Sequence, residues 1–329
     1  MPEQLQPIDR EAARAEASGP PLETVARPAA NGHLPRASGR SLPGALLREA
    51  RPKQWIKNLL VFAAPGAAGV LTQADALGSA LLAFAAFCFV ASGTYFVNDA
   101  RDAEADRAHP HKRHRPVAAG LVSVEMALGV GALLLAGGFA LAAAVSLELL
   151  ALMALYVAIG VAYTLFLKHT AVIDIAVVAS GFIIRAVAGG LAVGVPISRY
   201  FLIVASFGSL FMVAGKRHGE HIDLGPERGS VRATLSEYSR EYLRFVWTMS
   251  SAVTITAYCL WAFEQSGGSG LPWFELSIVP FVLFVLRYAL LLGNGRGSAP
   301  EELVLRDRGL QLSALVWLLA YGAGVYLGV

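Results

Sequence analysis

Long apolar runs, separated by short charged or Pro/Gly-rich breaks, fill the chain from about residue 58 onward. Reading the runs between those breaks predicts nine spans, at about 58–71, 77–97, 121–145, 148–167, 171–193, 200–214, 242–263, 275–292 and 311–328. Most approach the roughly 20 residues that cross a hydrocarbon core about 30 Å thick, and 58–71 and 200–214 fall short. In lipid each span must be helical, because hydrocarbon offers no partner to backbone N–H and C=O groups. The expectation is an all-α integral membrane protein.

Composition agrees. Of 329 residues 55% are hydrophobic and 16% charged, with a mean hydropathy of +0.54, whereas soluble chains carry about 25% charged residues. Residues 1–44 read differently: they are rich in Pro, Ala, Arg and Glu and hold no apolar core of a secretory signal. Glu3, Asp9, Glu11, Glu16 and Glu23 argue against a transit peptide, so a disordered tail precedes a transmembrane domain over 45–329. Cys88 and Cys259 both lie in apolar runs, which points to packing rather than to a disulfide or zinc framework. A net charge of +3 gives no reason to expect a nucleic-acid partner.

The distribution of charge says more. Arg101, Arg107, Lys112, Arg113 and Arg115 fall in one connection, Lys216, Arg217, Arg228, Arg232 and Arg240 in another, with Lys168, Arg296, Arg306 and Arg308 in two more on the same side. The opposite connections contain only Arg199. By the positive-inside rule both long polar loops, 98–120 and 215–241, face the cytosol.

At the cytosolic end of the second span stands Asn98-Asp99-Ala100-Arg101-Asp102-Ala103-Glu104-Ala105-Asp106. If the helix continues, Asp99, Asp102 and Asp106 share one face. Such carboxylates suit Mg²⁺, which takes one or two of them and completes its shell with water and phosphates. A solvated acidic helix end, eased by Arg101 and Arg107, fits the spacing equally well. The basic segment after it, with Lys112 and Arg115, anchors the next span and offers donors to phosphate; a zinc site from His109, His111 and His114 is the weaker reading. Before the first span, Trp55 and the lysines suit an interfacial anchor, while Lys53 and Lys57, four apart, share a helix face beside Gln54 and Asn58. Within the fifth span Asp174 and Arg185 lie about 16 Å apart on one face. Ionisable groups at such depth cost about 2.5–3.5 kcal/mol and mark a cavity or pathway, unless a buried partner such as Glu148 pairs with them.

The pattern Asn98-Asp99-x-x-Asp102-x-x-x-Asp106 after an apolar helix resembles the first aspartate-rich motif of the UbiA prenyltransferase superfamily. Over about residues 45–329 the resemblance implies a nine-helix bundle with a central cavity open to the cytosol, and Mg²⁺ at Asp99, Asp102 and Asp106. A second acidic motif is expected in the second long loop, where this chain has Lys216, Arg217, Glu220 and Asp223. That departure, Arg51-Pro52-x-Gln54-Trp55-x-Lys57-Asn58, Gly181 to Gly190, Gly215-Lys216-Arg217 and Glu237-Tyr238 resemble the branch that transfers phosphoribose to decaprenyl phosphate.

The resemblance implies transfer from phosphoribosyl diphosphate to a polyprenyl phosphate at the plasma membrane, feeding cell-wall arabinan synthesis. The phosphate-binding residues would come from Lys53, Gln54, Lys57, Asn58, Asn98, Lys112, Arg115, Lys168, Asp174, Arg185, Lys216, Arg217 and Glu220, with Lys57 and Asn58 on the donor's phosphates. Assembly into a homo-oligomer stays open. The alternative within the superfamily, prenyl transfer to an aromatic acceptor, expects acidity where Lys216 and Arg217 stand. A transporter would show paired repeats and broken helices, and would leave the Asn98 to Asp106 cluster without a role.

Overall fold

The computed structural model describes residues 41–109, 112–225, 234–265, 271–297 and 299–327. The tail over 1–40, His111, Arg228 and Arg232 lie outside them. Among the described residues every regular element is helical. In chain order these are α1 (Leu42–Glu49), a 3₁₀ run (Pro52–Phe62), α2 (Ala63–Ala67), α3 (Ala74–Arg101), α4 (Ala103–Ala108), α5 (Val124–Val145), α6 (Leu147–Leu165), α7 (Ile173–Val193), α8 (Arg199–Asp223), α9 (Thr234–Glu237), α10 (Arg240–Gln265), α11 (Trp273–Gly293), α12 (Pro300–Arg306) and α13 (Arg308–Leu327). Short 3₁₀ turns stand at Val70–Thr72, Lys112–His114 and Leu167–His169.

Eight of these helices, α3, α5, α6, α7, α8, α10, α11 and α13, are long and apolar enough to cross a membrane. Several start where a serine satisfies the first-turn amides: Ser123, Ser146 and Ser198 accept from the N–H of Met126, Leu149 and Phe201. Leucines such as Leu133 and Leu319 point outward, as expected of a surface meeting lipid. One buried apolar cluster sits where α3 meets α6 and α7, around Phe87, Val90, Leu149, Met153 and Ala188.

The predicted first span, 58–71, is not one continuous helix. Pro52 opens a 3₁₀ run, α2 lasts five residues, and Gly69 takes a left-handed φ of 70°. Eleven residues is long for a 3₁₀ helix, and such stretches often mark a hinge or a sequence under strain. Its period of three sorts the side chains: Lys53, Ile56 and Leu59 are exposed, Asn58 and Val61 are buried behind Trp55, and Gln54, Lys57 and Leu60 lie between. The expectation that Lys53 and Lys57 share a face assumed an α-helix; here they point apart, and Lys57 donates to Gln54 Oε1 at 2.6 Å.

Two other boundaries move. The sixth span extends to Asp223, so Lys216, Arg217 and Glu220 lie on α8 and not in a loop. The second extends through Arg101, which puts Asn98 and Asp99 on the last turn of α3.

Candidate active site

The site is built where α1, α3 and α4 meet at the basic end of the bundle. Asp99 and Asp106, expected on one face, do come together: both are buried, and Arg115 Nη1 donates to Asp99 Oδ1 at 3.0 Å and to Asp106 Oδ2 at 2.7 Å. Lys112 Nζ stands 3.8 Å from Asp106. Arg51 donates to the other oxygen of Asp99, and its guanidinium lies 4.4 Å from the centre of the Tyr95 ring. Arg51 holds a left-handed φ of 52° just before Pro52. Such backbone costs about 1–3 kcal/mol for a residue other than glycine and collects at functional sites.

Asp102 does not join this clamp. The helix breaks at it (φ −93°, ψ 7°), and its side chain is exposed, with no hydrogen bond or ion pair among the described residues. Asn98, one turn earlier, is half-buried, and its carbonyl accepts the Asp102 N–H at 2.9 Å. Among the described residues no three His, Cys, Asp or Glu side chains converge on one point. An open carboxylate with an amide and a second carboxylate near it along the chain is nonetheless a donor set suited to Mg²⁺, which uses few protein ligands and leaves the rest to phosphates.

One residue of the cluster was not anticipated. Glu49 ends α1 and is 1% exposed. As a carboxylate both its oxygens are buried without a donor. Burial first, and then the Asp99 carboxylate beside it, push its carboxyl up to about 8. Protonated at neutral pH, it can donate to Asp99. An eight-residue helix gives too little periodicity to reveal that Glu49 turns inward.

The second cluster lies between α7 and α8. Asp174, fully buried, accepts from Arg217 Nε at 3.0 Å, from Tyr163 at 2.7 Å and from Thr234 at 3.4 Å. Arg217 also bonds Glu220 at 2.9 Å, and Lys216 lies 3.9 Å from Glu220. The partner of Asp174 is thus Arg217, while Glu148 is exposed at the other end of α6. Both members are nearly fully enclosed, so each serves the other rather than an open site. Removing one partner leaves a buried charge, which costs about 3–5 kcal/mol. Arg217→Met should therefore lower thermal stability in detergent sharply, and Asp174→Leu with Arg217→Met should recover most of the loss. Equal stability of the single variant and the wild type would contradict this.

Arg185 has a different environment. It is buried, yet its partners are neutral: Asn58 Oδ1 at 2.7 Å, the Gly181 carbonyl at 2.6 Å and the Tyr156 hydroxyl at 2.8 Å, with the Tyr156 ring 4.8 Å away. No carboxylate pairs with it among the described residues. Three of five guanidinium N–H donors are used. Asn58 also reaches Cys88 Sγ at 3.3 Å. Asn58 and Arg185 thus meet, although 127 residues apart, while Lys168 is half-buried in the turn after α6 and Lys53 is exposed.

Residues 59–325 match the model of the UbiA prenyltransferase family. A decaprenyl-phosphate phosphoribosyltransferase from Mycolicibacterium smegmatis is 44% identical over 300 residues, covering 87% of this chain and 94% of its own. The enzyme of the same name from Mycobacterium tuberculosis strain H37Rv is 45% identical over 293 residues, covering 88% and 96%. Among solved structures, a UbiA homolog from Archaeoglobus fulgidus bound to GPP and Mg²⁺ superposes with a TM-score of 0.64 at 20% identity, over 87% of this chain and all of that one; the same homolog bound to Cd²⁺ gives 0.61 at 20%, over 86% and 99%. The all-helical architecture, the aspartates at the end of α3 and a family match across four-fifths of the sequence agree: this chain belongs to the UbiA prenyltransferase family and is an integral membrane protein.

Proposed function

We propose that this protein transfers 5-phosphoribose from phosphoribosyl diphosphate to a long polyprenyl phosphate such as decaprenyl phosphate. Pyrophosphate is released at the cytosolic face of the plasma membrane, and the product is a precursor of cell-wall arabinan. The observation that carries this reading is the 44–45% identity, nearly end to end, with enzymes of that name. The chemistry of the site supports it. The donor's anomeric carbon must part from a diphosphate, and cationic groups are gathered for such a leaving group in Arg51, Lys112 and Arg115 beside the α3 aspartates. A bound Mg²⁺ would add Lewis-acid neutralisation of the departing charge, and Asp102, with Asn98 and Asp106, would hold it. Asp99 contributes through the two arginines it orients.

The ribosyl carbon gains positive character as the bond lengthens, and fixed carboxylates nearby favour it. The attacking oxygen belongs to a phosphate already ionised at neutral pH, so no general base is required. Arg185, a buried cation with neutral partners and donors to spare, is suited to a substrate phosphate. On α8, Lys216 offers a further cation at the same end.

The test is direct. With purified enzyme and Mg²⁺, labelled phosphoribosyl diphosphate and polyprenyl phosphate should give a chloroform-soluble, acid-labile product. Label confined to the aqueous phase, with turnover of a prenyl diphosphate on an aromatic acceptor instead, would replace this reading by ordinary prenyl transfer.

A further inference from the structure

Hydroxyls on the membrane-spanning helices commonly return their proton to their own helix. Thr94 donates to the Val90 carbonyl at 2.8 Å, Thr164 to Gly160 at 2.9 Å, Ser209 to Ala205 at 2.6 Å and Ser250 to Val246 at 2.7 Å, the local back-bond open to such side chains in any helix. Ser92 on α3 does not. It is 2% exposed, donates across the fold to the Ala50 carbonyl at 2.8 Å and accepts the Trp55 indole N–H at 3.1 Å. One hydroxyl thus holds two points of the segment where α1 gives way to the 3₁₀ run.

That segment lies along one face of α3 and runs antiparallel to it. Cys88, Ser92, Tyr95 and Asp99 recur at i, i+4, i+7 and i+11. Cys88 meets Asn58, Ser92 meets Trp55 and Ala50, and both Tyr95 and Asp99 meet Arg51. Over those eleven residues α3 rises about 16 Å. The seven residues from Arg51 to Asn58 cover about 14 Å at the 3₁₀ rise, and would cover only about 10 Å as an α-helix. The long 3₁₀ run therefore keeps the segment in step with α3.

The step matters most at Arg51. Its φ of 52° is unusual twice over, because it is not glycine and because a residue before proline is pushed toward extended backbone. That angle is set about the bond leaving the Ala50–Arg51 peptide, and both polar ends of this peptide are tied. Its carbonyl accepts from Ser92, and its N–H donates to the Arg48 carbonyl at 3.2 Å. With the backbone so fixed, the guanidinium reaches Asp99 and lies over Tyr95. Once the Ser92 bond is lost the peptide can turn, relieve the strain and carry the guanidinium off Asp99.

We infer that Ser92 is a positioning residue: through the Ala50 carbonyl it holds Arg51 in the strained backbone that places its guanidinium beside the α3 aspartates, where the donor's diphosphate binds. Trp55 assists, because its N–H occupies the hydroxyl's acceptor side and leaves the proton aimed at Ala50. The identity of the donor rests on the proposed transfer reaction, whereas the coupling of Ser92 to Arg51 rests on these hydrogen bonds alone.

Binding of inorganic pyrophosphate with Mg²⁺ to the full-length protein in detergent, followed by calorimetry, reads the coupling without turnover. Ser92→Ala should weaken that binding by about 5- to 10-fold, the scale of one hydrogen bond. In the transfer assay it should raise the KM for phosphoribosyl diphosphate by a similar factor and leave the KM for decaprenyl phosphate unchanged. Arg51→Gln should weaken pyrophosphate at least as much, and adding Ser92→Ala to it should have no further effect. Thr94→Val, which removes a hydroxyl bonded within its own helix, should leave every constant at its wild-type value. Should Ser92→Ala fail to fold, Trp55→Phe runs the same cycle against Arg51→Gln with a smaller first step. Losses that multiply in the double variant, equal rises in both KM values, or wild-type pyrophosphate binding by Ser92→Ala would each make Ser92 a packing residue and overturn the inference. A coupled pyrophosphate cycle in a protein that transfers no phosphoribose would uphold the role of Ser92 and refute the reaction.

Discussion

Asp102→Ala is expected to cut turnover by about 10²- to 10³-fold or more, the scale of losing one group that stabilises developing charge, while leaving thermal stability in detergent unchanged. The two halves of that outcome have separate causes. Asp102 is exposed at the break between α3 and α4 and holds no other side chain among the described residues, so its removal disturbs no packing. Its open carboxylate is also the group in the α3 motif left free for a cation and its diphosphate. Asp99→Ala should behave differently. That residue is buried under Arg51 and Arg115, so its loss strands two cations and removes the acceptor beside Glu49. A cost of about 3 kcal/mol follows, at the lower end for broken buried pairs because the arginines are partly exposed. Activity then falls together with stability. Normal Mg²⁺-dependent activity of Asp102→Ala would reject its assigned role.

Gly189→Ala should be the most damaging single methyl in the bundle. A Cβ there would meet the Val61 carbonyl oxygen at 1.7 Å and its carbon at 2.7 Å. Both obstacles are backbone, so no rotamer change relieves the clash. Either α7 or the 3₁₀ run must retreat. Overpacking usually costs about 1–3 kcal/mol, and more where nothing can yield; here at least about 3 kcal/mol is expected. Activity should fall with it, because Gly189 stands one helical turn beyond Arg185 and lets the run approach closely enough for Asn58 to reach that guanidinium. Gly129→Ala, in α5 with nothing within 4 Å of the added carbon, should change stability by no more than about 0.5 kcal/mol. Thermal unfolding of the two variants side by side, with Arg185-dependent substrate binding as a second readout, decides the matter. Equal melting temperatures would refute the close approach.

Much of the architecture was legible before any coordinates. Apolar runs long enough to cross a bilayer can satisfy their backbone only as helices, so eight of the nine predicted spans recur as helices of matching position. The remaining one, 58–71, is helical but not continuous, for a local reason. Pro52, Pro65, Gly66 and Gly69 interrupt a run that hydropathy alone reads as continuous. The aspartates were legible as a group through their spacing along one helix face and the resemblance that this pattern carries. Their division of labour was not, since it depends on a helix break at Asp102 and on the reach of Arg51 and Arg115.

Hydropathy, charge placement and motif spacing therefore determined that this is a helical membrane protein, and they singled out the polar segments that the structure gathers into its clusters. These follow from properties each segment has by itself. Tertiary structure alone decided which polar groups are consumed by one another and which stay available. Asp174 is taken by Arg217 and Asp99 by two arginines, while Glu49 is drawn into the cluster and Arg185 is left with neutral partners. Side chains far apart in the chain compete for the same few partners inside a medium without water. The outcome depends on which of them the packing brings within about 3 Å, a distance no linear spacing encodes.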